Sequence, residues 1–164
     1  MRPLPTAVSA LAIALLSSGV VRAEQCRPID TTIVTWFTPC APNESPVGFC
    51  TQGVIASGLL AGTTRFGVQT MTGSDSVTTY SGILTITTKS GRLRLNDYGI
   101  LTAKGKFSEL EQVVSGTGRF KHLTGMLVSQ GVQTLVDVNG TLIPGFQGTL
   151  IGSLCHFNQG HHDE

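Results

Sequence analysis

Two glutamates in the stretch FSELEQVV have a spacing that could support acid–base chemistry. Glu109 and Glu111 are two positions apart, so in a β-strand they share one face with Phe107. On an inward face, apolar neighbours would raise the pKa of both carboxyl groups, which suits proton transfer. Buried carboxylates without partners are costly. We therefore expect both glutamates on the solvent face, with Leu110 and Val114 inside, and keep the inward arrangement as the alternative.

Asp97, in the stretch RLRLNDYG, is a second candidate for chemistry. The alternation of leucine and arginine in this stretch predicts that Leu93 and Leu95 face inward and Arg94 faces outward. The same alternation turns Asp97 inward near the end of the strand, next to Tyr98. An aspartate–tyrosine pair there could position a polar ligand or deliver a proton. The competing interpretation is a turn aspartate that accepts a hydrogen bond from its own backbone.

Three further residues are candidates for binding a ligand. Arg65, in TTRFG, could anchor an anion, and Arg94 could do the same if its side chain turned inward. Phe107 could form an apolar wall beside the glutamates. For both arginines we favour a surface position, since charged side chains are mostly exposed.

The sequence carries none of the compact catalytic motifs. It has no Gly-x-Ser-x-Gly elbow and no His-Glu-x-x-His pair, which argues against a hydrolase. Two adjacent histidines near the C-terminus, His161 and His162, could bind a metal together with His156. A flexible tail would lose conformational entropy in doing so. We expect no metal site and no cofactor.

The glycine-rich stretch VVSGTGRFKHLTG, residues 113–125, could be read as a phosphate-binding loop. A Walker loop needs Gly-Lys-Ser/Thr before a helix, and a dinucleotide fingerprint also leads into a helix. No helical pattern follows Gly118. We predict a tight corner between two strands instead, in which Gly116 and Gly118 permit the turn. Phe120 would plug the interior, and Gly125 would let the next strand start close to its neighbour.

The N-terminus has the pattern of a secretory leader. Arg2 precedes the apolar run AVSALAIALLSSGVV. Val21 and Ala23 are small or compact residues at the end of this segment, as at the cleavage site of a signal peptide. We predict a signal peptide over residues 1–23 and a secreted mature chain, extracellular or periplasmic, with no later segment able to span a bilayer. Cleavage leaves nine of the 11 basic residues against ten acidic ones. This balance gives no reason to expect a nucleic acid or an anionic membrane as partner.

All four cysteines lie in the mature chain. An even number in a secreted protein indicates disulfides, and three pairings are possible. We favour Cys40–Cys50, which closes a short proline-containing loop, together with Cys26–Cys155. The second pair would tie the first strand to the last. Zinc binding is the weaker alternative, since the spacings contain no close metal-binding pair.

Short apolar runs separated by glycine and asparagine continue through the mature chain. About eight strands are expected, with a hairpin at Asn139–Gly140 and no amphipathic helix. Such a chain folds as a sandwich or an up-and-down barrel. Short turns and a cysteine near each end favour an all-β, eight-stranded antiparallel barrel over residues 24–157. Residues 158–164 would form a disordered polar tail.

The glycine-rich corner also resembles a known family. VVSGTGRFKHLTG is similar to the VVGGTGKF…G corner of dirigent proteins and to the related corner of allene oxide cyclases. The preceding stretch GILTITTKSGRLRLNDYGILTAKGKFSELE resembles the hairpin and strand that lead into that corner. Dirigent proteins carry FRFARG after the corner, whereas this chain has a threonine, Thr124, at the late arginine position. The resemblance covers residues 82–131 well and the remainder only in length and number of strands.

The resemblance implies an eight-stranded barrel, often a homotrimer, with an elongated interior cavity. Allene oxide cyclases close a reactive lipid epoxide in that cavity, and dirigent proteins guide the coupling of phenoxy radicals, both without a cofactor. We therefore expect a secreted barrel that binds a small apolar molecule and directs its cyclisation or stereoselective coupling, with a tunnel of a few hundred Å³. The alternative is a non-catalytic binding or interaction protein whose barrel is filled by its own side chains.

Overall fold

The structure is a computed structural model that describes residues 25–156, nearly all of which lie in eight β-strands. The predicted leader (1–23) and the predicted tail (158–164) lie outside the described residues. None of the described residues forms a helix that is long and apolar enough to cross a membrane. The strands are β1 Gln25–Phe37, β2 Cys50–Ile55, β3 Gly62–Gly73, β4 Val77–Thr88, β5 Gly91–Thr102, β6 Lys106–Gly116, β7 Leu123–Val138 and β8 Thr141–His156.

The strands close into an antiparallel barrel. Each strand pairs with the next one along the chain, and β1 pairs with β8 from Gln25 opposite His156 to Trp36 opposite Gly145. Closure gives each strand two neighbours and so removes the two free edges that an open sheet would have. The predicted fold, an eight-stranded up-and-down barrel, is confirmed.

Turn chemistry explains where the chain reverses direction. Asn139 and Gly140 both have positive φ, as a tight hairpin between β7 and β8 requires. The long stretch from Thr51 to Met71 divides into β2 and β3, with the reversal between Ile55 and Gly62. β7 runs from Leu123 to Val138 and passes through Gly131 without interruption.

The glycine-rich corner is a turn between β6 and β7, as predicted. It contains one 3-10 turn, Gly118–Phe120, and β7 follows directly, so there is no helix that could cradle a phosphate. Gly118 has φ +59°, and a Cβ there would lie 2.2 Å from the carbonyl oxygen of Ser90. Phe120 is fully buried and plugs this end of the barrel.

Both predicted disulfides are present. Cys26 and Cys155 are opposite each other in the β1–β8 ladder, and Cys40 is bonded to Cys50 at the start of β2. The described chain contains no free cysteine. The first bond joins the first and last strands, so it reinforces the closure of the barrel.

The barrel interior has a packed half and a hollow half. The packed half ends at the Phe120 corner and is filled by fully buried side chains from several strands: Ile86, Leu93, Leu95, Phe120, Leu127, Leu150 and Leu154. The hollow half ends at the opposite set of connections, which are residues 38–49, 74–76, 103–105 and the turn at Asn139–Gly140. The candidate site lies in the hollow half.

Candidate functional site

The hollow half contains a cavity of about 160 Å³. Met71 lines it and remains 41% exposed, so the cavity reaches the surface near the β3–β4 connection. Most of its wall is apolar, and aromatic rings from five elements contribute to it: Phe49, Phe66, Tyr80, Phe107 and Phe146. The polar part of the wall is dominated by three carboxylic acids, which are Asp97, Glu109 and Glu111.

Glu109 belongs to a polar row that crosses four strands. Tyr80 on β4 is opposite Gly99 on β5, and Gly99 is opposite Glu109 on β6. Glu109 is in turn opposite Ser129 on β7. The Tyr80 hydroxyl donates a 2.6 Å hydrogen bond to Oε1 of Glu109, and the Ser129 hydroxyl donates a short one to Oε2. Both carboxylate oxygens of Glu109 therefore have donors.

Gly99 makes the contact between Tyr80 and Glu109 possible. A Cβ at Gly99 would lie 2.3 Å from the Cζ atom of Tyr80, so the tyrosine ring crosses the wall where a side chain would otherwise stand. The absent side chain lets the hydroxyl reach across β5 to the glutamate. A close approach of this kind is a common reason for glycine inside a strand.

Asp97 and Glu111 form the next row of the barrel wall. They are opposite each other on β5 and β6, and Asp97 is also opposite Gly82 on β4. Both side chains are buried, with exposed fractions of 2% and 0%. Among the described residues, neither oxygen of Glu111 has a hydrogen-bond partner, and the same is true of Oδ1 of Asp97.

The three acids form one cluster, the acid cluster, defined by Asp97, Glu109 and Glu111. One carboxylate oxygen from each lies within 4.8 Å of the others, close enough to share protons or to surround a small cation. No lysine, arginine or histidine appears among the described residues that line the cavity. The negative charge of the cluster is therefore not balanced by a basic side chain within the wall.

Burial and mutual repulsion shift the titration of the cluster. Burial, followed by the charge of Glu109, raises the pKa of Glu111 from 4.5 to about 8. Burial also raises the pKa of Asp97, with Glu109 and then Glu111 adding to the effect. The pKa of Glu109 is raised by burial as well, but the hydrogen bonds from Ser129 and Tyr80 oppose this shift. Glu109 is thus the member of the cluster whose charged form receives the most hydrogen-bond support.

The placement of Glu109 and Glu111 corrects the expectation from the sequence. They were expected on the solvent face, but they face the interior together with Phe107, while Leu110 and Val114 are exposed at 41% and 53%. The cost of burying the acids is reduced in two ways. Glu109 receives two hydroxyl donors, and the raised pKa values allow its neighbours to stay protonated.

The predicted pair of Asp97 with Tyr98 does not form. Leu93, Leu95 and Asp97 face inward as expected, which turns Tyr98 outward, where it is 54% exposed. Adjacent residues of a strand point to opposite faces, so only one of the two could enter the cavity. The tyrosine that joins the acid cluster is Tyr80 instead.

Of the three ligand-binding candidates, only Phe107 lines the cavity. Arg94 is exposed on the outer face. Arg65 lies on the outside of β3 and is bonded to Glu44 at 2.5 Å, and this hydrogen-bonded pair raises the pKa of Arg65 and lowers that of Glu44. Both arginines therefore lie on the outer surface and not in the cavity.

Sequence reasoning missed Tyr80 and Ser129. They lie 29 and 20 residues from Glu109 along the chain, in stretches rich in threonine and serine that carry no distinguishing motif. Only the strand register brings them beside the glutamate. The signals that the sequence did offer were the spacing of Phe107, Glu109 and Glu111 and the alternation that turns Asp97 inward.

Comparisons of this chain with protein-family models, with curated proteins and with solved structures give no match.

Proposed function

We propose that this protein is a secreted barrel that binds a small, largely apolar molecule in the hollow half. The observation that carries this proposal is the cavity of about 160 Å³, whose apolar, aromatic wall surrounds an acid cluster. Pockets for small molecules combine these two features, since apolar surface supplies affinity and a few polar groups set the orientation. The two disulfides are compatible with export, where such bonds persist.

The size of the cavity limits the guest. A few hundred Å³ were expected from the sequence, and the cavity is smaller. An apolar cavity of roughly 150 Å³ accommodates a molecule of about the size of benzene. A barrel filled by its own side chains, the alternative function, fits the packed half but not the hollow half.

A second candidate function is turnover of the guest. Asp97 and Glu111 stay protonated at neutral pH because their pKa values are raised, so each could donate a proton to a bound molecule. The resemblance to allene oxide cyclases and dirigent proteins supports a cofactor-free cyclisation or stereoselective coupling. In that case, the cavity wall would set the path of the reaction and the acids would supply the proton.

We also propose a homotrimer, as the resemblance implies. An apolar row on the outer face supports an interface: Tyr98 is opposite Leu110, Leu110 is opposite Val128, and Val128 is opposite Ile151. Three of these side chains are at least 40% exposed, and contiguous apolar patches mark interaction surfaces. Light scattering at micromolar concentration tests this assembly, and a mass that corresponds to the monomer alone would contradict it.

Guest binding is tested by titrating the protein with toluene while recording amide NMR spectra. We expect the largest shifts at residues that line the cavity, such as Leu84 and Leu101. Thr35→Phe fills the cavity and should abolish the shifts. Thr32→Phe, on the outer face of the same strand, is the matched control and should leave them unchanged. Toluene shifts that persist in Thr35→Phe, or that appear only on the outer face, would contradict the proposal.

A further inference from the structure

The charge of the cavity wall indicates which chemical class of guest it would accept. Three acids face the cavity, and the described lysines, arginines and histidines lie elsewhere: Arg27, Arg65, Lys89, Arg92, Arg94, Lys104, Lys106, Arg119, Lys121, His122 and His156. Within a low-dielectric wall, unbalanced negative charge attracts a cation far more strongly than it would in water. An anionic guest would be repelled by whichever of these groups is ionised.

The hydrogen bonds of the cluster identify the acceptors that remain available. Glu109 already accepts from Tyr80 and Ser129. Oε1 and Oε2 of Glu111 and Oδ1 of Asp97 are buried, and no described residue donates to them. These are three unpartnered oxygens at one side of the cavity, and a primary ammonium group carries three N–H donors.

The aromatic wall favours an organic cation over a metal ion. Phe107 and Phe146 meet edge to face with ring centres 5.5 Å apart, and Phe66 and Tyr80 meet with ring centres 6.1 Å apart. All four rings line the cavity. Ring faces attract ammonium groups and pack against an apolar body. Calcium takes six to eight oxygen ligands and magnesium about six, often including waters, which an apolar wall does not supply.

We propose that the guest is a small amine with an apolar or aromatic body, bound as its ammonium ion against Asp97 and Glu111. This inference rests on the proposed binding of a guest in the hollow half. When the ammonium ion enters, Glu111 releases its proton to solvent, and the resulting carboxylate accepts an N–H bond. No covalent bond of the guest forms or breaks. Glu109 stays bonded to Tyr80 and Ser129.

The test compares benzylamine with benzyl alcohol, which differ only in the ammonium and hydroxyl groups. Dissociation constants are measured by calorimetry at pH 7 on the full mature chain, with toluene as the apolar reference. We expect benzylamine to bind at least about tenfold more tightly than benzyl alcohol, because hydrogen bonds to charged groups stabilise a complex more than neutral ones do. The double variant Asp97→Asn/Glu111→Gln should lose this preference and still bind toluene.

A matched control separates the cluster from overall charge. Asp30→Asn/Asp75→Asn makes two acid-to-amide replacements at exposed positions and should keep the preference for benzylamine. Thermal unfolding of each variant checks that it is folded. The buried double variant replaces unpartnered acids with amides of the same shape, so its melting temperature should not fall.

The remaining outcomes distinguish this inference from the function on which it rests. Equal binding of benzylamine and benzyl alcohol would overturn the amine inference and leave guest binding intact. Failure of all three probes to bind would overturn both. A titration with Mn²⁺ tests the alternative that the acid cluster binds a metal ion. Selective broadening of signals around Asp97 and Glu111 by Mn²⁺, lost in the double variant, would show a metal site and overturn the amine inference.

Discussion

The acid cluster is the residue-scale feature on which the chemistry depends. Its members differ in burial and in hydrogen bonding: Asp97 and Glu111 are buried and Glu109 is partly buried. Glu109 has two hydroxyl donors, whereas Glu111 and Asp97 have oxygens with no donor among the described residues. Environment therefore gives chemically similar groups different tendencies to ionise: two hydrogen bonds oppose the upward pKa shift of Glu109, whereas the pKa of Glu111 is raised to about 8. This separation is the usual basis for dividing roles among neighbouring acids.

Stability should fall as the pH rises from about 5 to about 8. The pKa of Glu111 is raised from 4.5 to about 8, so between these values the folded state holds a proton that the unfolded state has lost. Folding is then disfavoured by about 1.4 kcal/mol per pH unit for each such group, and Asp97 has a shift of the same sign. Urea unfolding at pH 5, 6.5 and 8 measures the slope.

Glu111→Gln tests the origin of this pH dependence. The variant should unfold at higher urea concentration than the parent at pH 8 and should show a shallower slope. Asp97 and Glu109, the acids next to Glu111 whose pKa values are also raised, remain and account for the residual slope. Tyr80 adds nothing to it, because its hydroxyl is protonated in the folded and the unfolded state over this pH range. Asp30→Asn, at an exposed position, should leave the slope unchanged. A parent protein that is equally stable at pH 5 and pH 8 would refute the assignment.

At the scale of the strands, the decisive feature is the register that brings Tyr80, Gly99 and Glu109 into one row. The glycine on the middle strand allows a ring from one neighbour to reach an acid on the other. The function of Gly99 is therefore to provide space. Its backbone conformation does not require a glycine, since φ there is not positive.

Gly99→Ala should destabilise the protein by about 1–3 kcal/mol, as expected for overpacking. The added Cβ would lie 2.3 Å from the ring of Tyr80, so the ring must move away from Glu109. In a Tyr80→Ala background, the same substitution should cost much less, because the obstructing ring is absent. Denaturant unfolding of the four proteins gives the coupling energy. Equal costs in both backgrounds would show that the ring contact is unimportant.

The same row shows how far the sequence could predict the site. Alternation along β6 divided its residues into two sets, one with Glu109 and Glu111 and the other with Leu110 and Val114. Both sets contain apolar residues, so alternation alone could not decide which faces inward. Because burying acids is costly, we expected Leu110 and Val114 inside, and this expectation was wrong. The compensating hydroxyl groups lie on β4 and β7, and only the register of the folded barrel places them there.

Whole-molecule features were easier to predict than the site. The turns at Asn139–Gly140 and at the glycine-rich corner were predictable because their backbone conformations favour asparagine or glycine. A cysteine near each end of the chain indicated that the first and last strands meet. These signals come from short stretches of sequence or from the number of cysteines, so they do not depend on how the strands are aligned with one another. The volume of the cavity does depend on how side chains from all strands meet. The few hundred Å³ expected from the sequence is larger than the 160 Å³ of the structure.

The Cys26–Cys155 bond should contribute more to stability than the Cys40–Cys50 bond. The sequence separations are 129 and 10 residues, and a longer closed loop restricts the unfolded chain more strongly. Replacing both cysteines of the long-range pair by serine should cost about 2–5 kcal/mol, and replacing the short-range pair should cost less. Urea unfolding compares the two variants. A larger loss for Cys40→Ser/Cys50→Ser would contradict this reasoning.

The hollow half of the barrel is the feature on which the functional account depends most. Crystals of the protein soaked in bromobenzene would locate a guest directly, because the anomalous signal of bromine marks its position. We expect a bromine peak inside the barrel, between Phe107, Tyr80 and Leu101. Bromine peaks confined to the outer surface, or an empty barrel at saturating bromobenzene, would contradict it.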